Sequence, residues 1–349
     1  MEDIGKNLKR IRLLKSLSLK EAGKLVNMSA PALLKYEKGQ VIPNSNKLIE
    51  FANAYNVSIT ELLKSNSNYN MSFKSFRKKK KLEGQNLDLL KEIINNKVNN
   101  YIEVLDLNNI YNYEFKLKSY MCNNLDDASI AAYNFKRDYN ISKNQPISDL
   151  ISLLENIGIN IIQIENINNK FNGFDGLSEI VNNIPFIILM DYDDGARERF
   201  TIAHELGHLL LKINNESIDQ EKACNIFASS LLMPKEAVIK EFGESRNNIS
   251  LYELLAFKLE YKVSIAAILY RLRELNIISE YLYKKITIKL NSLGYKKDEP
   301  NNINKEKSNQ YTKLVHKLYA DEIITINKAC ELLGVSENDY YIQDNNYRY

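Results

Sequence analysis

The sequence predicts a mainly α-helical protein with a small β-sheet, an α+β chain of several domains. Three observations predict it. Apolar residues recur at helical spacing over most of the 349 residues. Only two short β-branched runs, residues 159–167 and 185–191, read as strands. The charge is also divided: residues 1–81 hold 17 Lys and Arg against 6 Asp and Glu, whereas the remainder is net −8. A basic front and an acidic back read as separate domains, the front one meeting an anionic polymer. The length fits two or three domains, each with room for a core.

Each element has a local reason. In residues 1–64, Ile4, Leu8, Ile11, Leu14 and Leu17 recur at helical spacing and open a set of four or five short helices. Ser18 and Ser29 are expected N-caps, and Gly39 a C-terminal stop. Pro43 closes a turn. Leu48, Phe51, Ala52 and Tyr55 mark a further amphipathic helix, and Thr60 to Leu63 a short last one. Residues 65–75 have linker composition. The run Arg77-Lys78-Lys79-Lys80-Lys81 reads as either a solvated linker or an anion-facing arm, and one or two long helices follow to about residue 118.

A helix is expected over 125–142, another after Pro146, and then the strand 159–167. Gly173 and Gly176 mark a turn before the strand 185–191. Helix dominates 197–290. Residues 301–310 read as a polar linker and 311–340 as a small helical tail. The expected domains are therefore 1–66, a basic helical linker 67–118, 119–300, and the tail 301–349.

Composition excludes several classes. The hydrophobic share of 44% is that of a globular chain, not a wholly disordered one. No apolar run approaches ~18 residues, so no membrane is expected as partner. The segment MEDIGKNLKRIRLLK is charged throughout and lacks the apolar core of a secretory leader. Cys122, Cys224 and Cys330 are single and far apart, which points to a reducing cytoplasm rather than a disulfide framework.

The chemistry concentrates in His204-Glu205-Leu206-Gly207-His208. Positions i and i+4 share one helix face, so both imidazoles can reach one metal ion, and Glu205 beside the first can polarise a bound water. Leu209, Leu210 and Leu211 continue an apolar helix, in which unligated imidazoles and a carboxylate would be costly. A catalytic zinc ion needs a third protein ligand. The only other histidine is the distant His316, so an acidic residue is expected. Downstream, Glu221, Cys224, Asn225 and Ala228 share one helix face. Glu221 is the best-placed carboxylate, and Cys224 an alternative ligand or a small core residue.

The segments RFTIAHELGHLLL and E-x-x-C-N-x-F-A-x-x-LLMP resemble the ImmA/IrrE family of zinc metallopeptidases. The resemblance runs over about residues 125–300. It implies a zincin-like fold, with His204, His208 and Glu221 as Zn2+ ligands and Glu205 as catalytic base. It also implies a protein substrate, a transcriptional repressor. The strand 185–191 is then expected at the cleft edge, where a substrate segment adds as an extended strand.

Residues 1–64 resemble the XRE (lambda-repressor-like) helix-turn-helix domain, a five-helix fold, through LSLKEAGKLVNMSAPALLKYEKGQVIPN and LIEFANAYNVSITELL. The resemblance implies double-stranded DNA as partner, read from the segment 29–38. Ser29, Ala30, Ala32 and Lys35 are then nearest the bases, and Lys6, Lys20 and Lys38 face phosphate. Such domains usually bind as dimers, which makes a homodimer an expectation. Leu19 and Gly23 depart from the usual pattern, where glutamine and alanine are common. The two resemblances together imply a DNA-binding regulator with a zinc endopeptidase domain. The alternative is a non-catalytic regulator whose zincin-like domain serves as a sensor or partner-binding module.

Overall fold

The computed structural model describes residues 2–63, 71–73, 84–110, 117–166, 169–215, 217–295 and 298–345. The Arg77–Lys81 run lies outside them. The chain forms two compact units, residues 1–103 with 167–174, and residues 104–166 with 175–349. No helix among the described residues is long and apolar enough to cross a membrane.

The first unit opens with five helices, α1 (Glu2–Leu14), α2 (Leu19–Leu25), α3 (Ala30–Glu37), α4 (Ser45–Tyr55) and α5 (Ile59–Leu63). Their apolar faces bury Leu8, Ile11, Val26, Leu33, Phe51, Tyr55 and Leu62 in one core. Ser18 caps α2 in a capping box with Glu21, and Ser29 caps α3 through Ala32 N. Gly39 adopts φ +67°, the left-handed stop after α3. Gly23 is also explained: a Cβ there would lie 2.6 Å from Met28 O, so the turn between α2 and α3 is tighter than alanine allows. Beneath these helices lies a buried ion pair. Arg12 donates to both carboxylate oxygens of Glu37, at 2.5 and 2.9 Å, and to Leu17 O at 2.8 Å. This ties α1 to the end of α3. The unit continues into α6 (Gln85–Leu107), whose residues to Glu103 group with it. There Arg10 donates to Asn96 at 2.8 Å.

The second unit contains β1 (Tyr120–Cys122), α7 (Asp126–Asp138), α8 (Leu150–Asn156), β2 (Asn160–Glu165), β3 (Gly176–Val181), β4 (Ile184–Asp191) and α9 (Gly195–Leu210). After these come β5 (Leu211–Ile213), α10 (Gln220–Leu232), α11 (Lys235–Phe242), α12 (Leu251–Tyr261), α13 (Ile265–Glu274) and α14 (Glu280–Ser292). The tail forms α15 (Gln310–Ala320), α16 (Ile326–Leu333) and α17 (Glu337–Asn345). Val315, Leu318, Ala329, Leu332 and Tyr340 form its own core with Val104.

The main sheet has the order β2-β4-β3, with β4 parallel to β2 and antiparallel to β3. The strand 185–191 is therefore the central strand and not the cleft edge expected of it. Its residues 185–190 are all buried, which is why it reads as an unbroken apolar run. The outer strand facing α9 is β3, which the sequence did not announce. Its hairpin turn is Asn182-Asn183, both at positive φ, as a two-residue turn of this hand requires. Gly176 starts β3 and is not a turn residue. A Cβ there would meet Thr201 Cγ2 of α9 at 3.0 Å, so glycine lets the strand press against the helix.

Residues 303–308 are not the polar linker expected, but an extended strap. Gly195 N donates to Ile303 O at 3.2 Å, and a Cβ on Gly195 would lie 2.6 Å from that carbonyl oxygen. Glu306 pairs with the fully buried Arg199 of α9. Its other carboxylate oxygen accepts from Leu150 N and Ile151 N, the start of α8, at 2.7 and 2.9 Å. Lys305 pairs with Asp191 at 2.6 Å. The Asn, Lys and Glu content that suggests a linker is in fact the complement of a buried charge. Beside it, Glu198 is buried, with Gln163 donating to one oxygen at 3.2 Å. Burial, and to a lesser degree Asp191 and Glu306, push its carboxyl up to about 7.

Two outcomes are expected from this packing. Glu37→Ala leaves the Arg12 guanidinium buried without its carboxylate and should cost about 3–5 kcal/mol in chemical denaturation. Glu198 binds its proton more tightly folded than unfolded. Its favourable contribution is complete below the unfolded value near 4.5 and is lost as pH rises through about 7. Denaturation midpoints should therefore fall between about pH 5 and about pH 8, on the order of 3 kcal/mol from this group, and Glu198→Gln should flatten that slope.

Candidate metal centre

The site is built on α9 and α10. Asp194 caps α9, its carboxylate accepting from Ala196 N and Arg197 N. The helix buries Ile202, Ala203, Leu206 and Leu210 on its apolar face. The 3.6-residue period then brings His204 and His208 together, with ring centroids 4.8 Å apart. Asp219 caps α10 in the same way, which places Glu221 in its first turn. The two helices cross where Gly207 meets Cys224: a Cβ on Gly207 would lie 3.2 Å from Cys224 Cα. Cys224 is a buried core residue at this crossing.

Three donor atoms converge. His204 Nε2 lies 3.1 Å from His208 Nε2 and 3.3 Å from one carboxylate oxygen of Glu221, and His208 Nε2 lies 3.6 Å from the other. Among the described residues this is the one group of three potential ligands with donor atoms within 4.8 Å of one another, and Cys224 is not part of it. A tetrahedral zinc ion with bonds of about 2.0–2.1 Å places neighbouring ligands about 3.3 Å apart, so the donor set fits such an ion. The hydrogen bonding agrees. His204 Nδ1 lies 2.9 Å from the amide oxygen of Asn225, which accepts, so Nδ1 carries the proton and Nε2 presents its lone pair. Asn225 is thus a site residue that sequence reasoning placed on the right helix face without giving it a role.

Glu205 lies on the same helix but is 3% exposed, against 44% for the side chain of Glu221. One of its oxygens accepts from Ser178 Oγ of β3 at 3.0 Å. Sequence reasoning missed Ser178 because it missed β3. The available signal was Leu177, Ile180 and Val181 leading into an Asn-Asn pair.

The residues expected on DNA lie in the first unit. Ser29 caps α3, and Ala30, Ala32 and Lys35 follow along it, the alanines half-buried and Lys35 exposed. Lys38 is the C-cap of α3. Lys20 stands in the first turn of α2 and Lys6 on α1, both exposed.

Comparison with known proteins finds two family models on separate parts of the chain. Residues 8–62 match the helix-turn-helix family model, and residues 154–273 match that of the IrrE N-terminal-like domain. No curated protein matches the chain. Two solved structures are similar at low level. The crystal structure of Bacillus thuringiensis PlcR in complex with the peptide PapR7 and DNA is 15% identical, covering 86% of this chain and 100% of that one, with a TM-score of 0.18. The apo form of ComR from S. thermophilus is 12% identical, covering 93% and 95%, with a TM-score of 0.18. Agreement at that level carries no argument about fold or partner. The two family matches do, and the chain is a fusion of an XRE-type helix-turn-helix domain with an IrrE/ImmA-like domain.

Proposed function

We propose that this protein is a DNA-binding transcriptional regulator whose IrrE/ImmA-like domain is a zinc-dependent endopeptidase acting on a specific protein, a transcriptional repressor. The observation that carries the reading is the triangle of His204, His208 and Glu221, with edges of 3.1, 3.3 and 3.6 Å, where the helix of the two histidines also bears the buried Glu205. His204, His208 and Glu221 hold the zinc ion, and Asn225 fixes the His204 ring. Bound there, zinc lowers the pKa of water toward ~7 and polarises the scissile carbonyl. Glu205 takes a proton from the attacking water and later passes it to the leaving amine. The strand available to a substrate segment is β3, the outer strand, whose Ile180 is 51% exposed. Main-chain pairing there gives affinity with little side-chain selection, so specificity comes from docking elsewhere. Ser29, Ala30, Ala32 and Lys35 meet base edges, and Lys6, Lys20 and Lys38 meet phosphate, in a homodimer on double-stranded DNA.

Metal content and cleavage of the XRE repressors of the same genome, measured on the same preparations, test the chemistry. His204→Ala, His208→Ala and Glu221→Ala should lose zinc. Asn225→Ala should keep the site but bind zinc about 10–100-fold more weakly. Glu205→Gln should keep zinc and fold yet lose cleavage. Full zinc in Glu221→Ala would void the third ligand, and undiminished cleavage by Glu205→Gln would void the mechanism. Stoichiometric zinc with no repressor cut by the wild type would favour the non-catalytic regulator.

For the DNA half, Lys35→Ala should relax sequence preference. Lys20→Ala should weaken all sequences alike and lower the salt slope by about one. Failure of the full chain to bind DNA at low salt would remove the regulator.

A further inference from the structure

A general base is useful only if its carboxyl points one way through the reaction, and a helix does not fix that by itself. The last torsion of a glutamate is broad and roughly two-fold. Glu205 is held from outside its helix. Ser178 Oγ donates to Glu205 Oε2 at 3.0 Å, and both side chains are buried, at 8% and 3% exposure. The serine is delivered by a strand and a helix with matching steps. Gly176 abuts Thr201, and two residues along a strand cover about 6.6 Å while one turn of helix covers about 5.4 Å. From Gly176 to Ser178 and from Thr201 to Glu205 the two elements therefore advance nearly together. The glycine closes the gap, and the next residue on that face of β3 meets the glutamate. A serine hydroxyl has one proton to give and two lone pairs.

We propose that Ser178 is a positioning residue for Glu205: its hydroxyl holds the carboxyl in one orientation for proton transfer. The inference rests on the peptidase reading above and deepens it. Ser178 acts only through Glu205. A serine that merely tethers β3 to α9 would cost stability on removal and leave the surroundings of the metal unchanged. A positioning serine changes those surroundings.

The test loads the full chain with cobalt(II) in place of zinc, because its visible absorption bands respond to hydrogen bonds made beside the ion. Wild type, Ser178→Ala, Ser178→Thr, Glu205→Gln and the Ser178→Ala/Glu205→Gln double variant are compared. Ser178→Ala should bind cobalt stoichiometrically and shift the bands in the direction that Glu205→Gln does. Ser178→Thr, which keeps the hydroxyl, should restore the wild-type spectrum. The double variant should go no further than Glu205→Gln alone. With a cleaved repressor, Ser178→Ala should lose about a hundredfold in kcat with KM unchanged. Should Ser178→Ala not fold, Ser178→Cys, similar in shape with a weak donor, is read in its place. Wild-type bands in Ser178→Ala, or equal shifts for alanine and threonine, would overturn the proposal. Failure of the peptidase reading looks different: cleavage retained by Glu205→Gln, or no cobalt bound by the wild type, which removes both.

Discussion

Where α9 and α10 cross, the backbone of Gly207 comes so near Cys224 that a Cβ would have no room to spare. His204 lies one turn before that contact, His208 one residue after it, and Glu221 one turn before Cys224 on the facing helix. An alanine at position 207 would require Cys224 to give by a few tenths of an ångström, and a larger side chain would push the helices apart and carry Glu221 away from the imidazoles. The donor triangle is therefore a consequence of a packing distance as much as of three residue types. Close approach of helices through a small residue is ordinary core physics, since interiors are packed to crystal-like density. Here the same density sets the spacing of the donor atoms.

Much of this was legible in the sequence, and the limits have physical causes. The pairing of His204 with His208 follows from the helical period alone. Ser18 and Ser29 as caps, and Gly39 as the stop after α3, follow from local backbone chemistry. Glu221 is the best-placed carboxylate of its helix face, but its reach toward the histidines depends on the crossing at Gly207, which no local pattern contains. Asn225 and Ser178 owe their places to neighbours in space. β3 was missed because Ser178 and Glu179 interrupt its apolar residues, and its strand identity comes from pairing with β4. The misplacement of residues 185–191 at the edge has the related cause that an apolar run says a strand is buried but not what flanks it.

The strap shows the same limit from the polar side. Read as composition, residues 301–310 are a linker, because Asn, Lys and Glu are the residues of solvated chain. The need they answer lies elsewhere in the sequence, in Arg199. A guanidinium that deep is tolerated only with a carboxylate against it, and Glu306 supplies one while also capping α8 through two peptide N–H groups. One side chain thus satisfies a buried charge and the start of a helix at once.

That arrangement also sets an order of events in the making of the molecule. Arg199 leaves the ribosome 107 residues ahead of Glu306. At bacterial or eukaryotic elongation speeds of about 5–20 residues per second, the gap is roughly 5–20 s. During that interval, burying the guanidinium would leave a charge uncompensated. The packing around Arg199 is complete only once the strap has been made. The final setting of the helix that carries His204 and His208 therefore depends on a segment 107 residues downstream of its arginine.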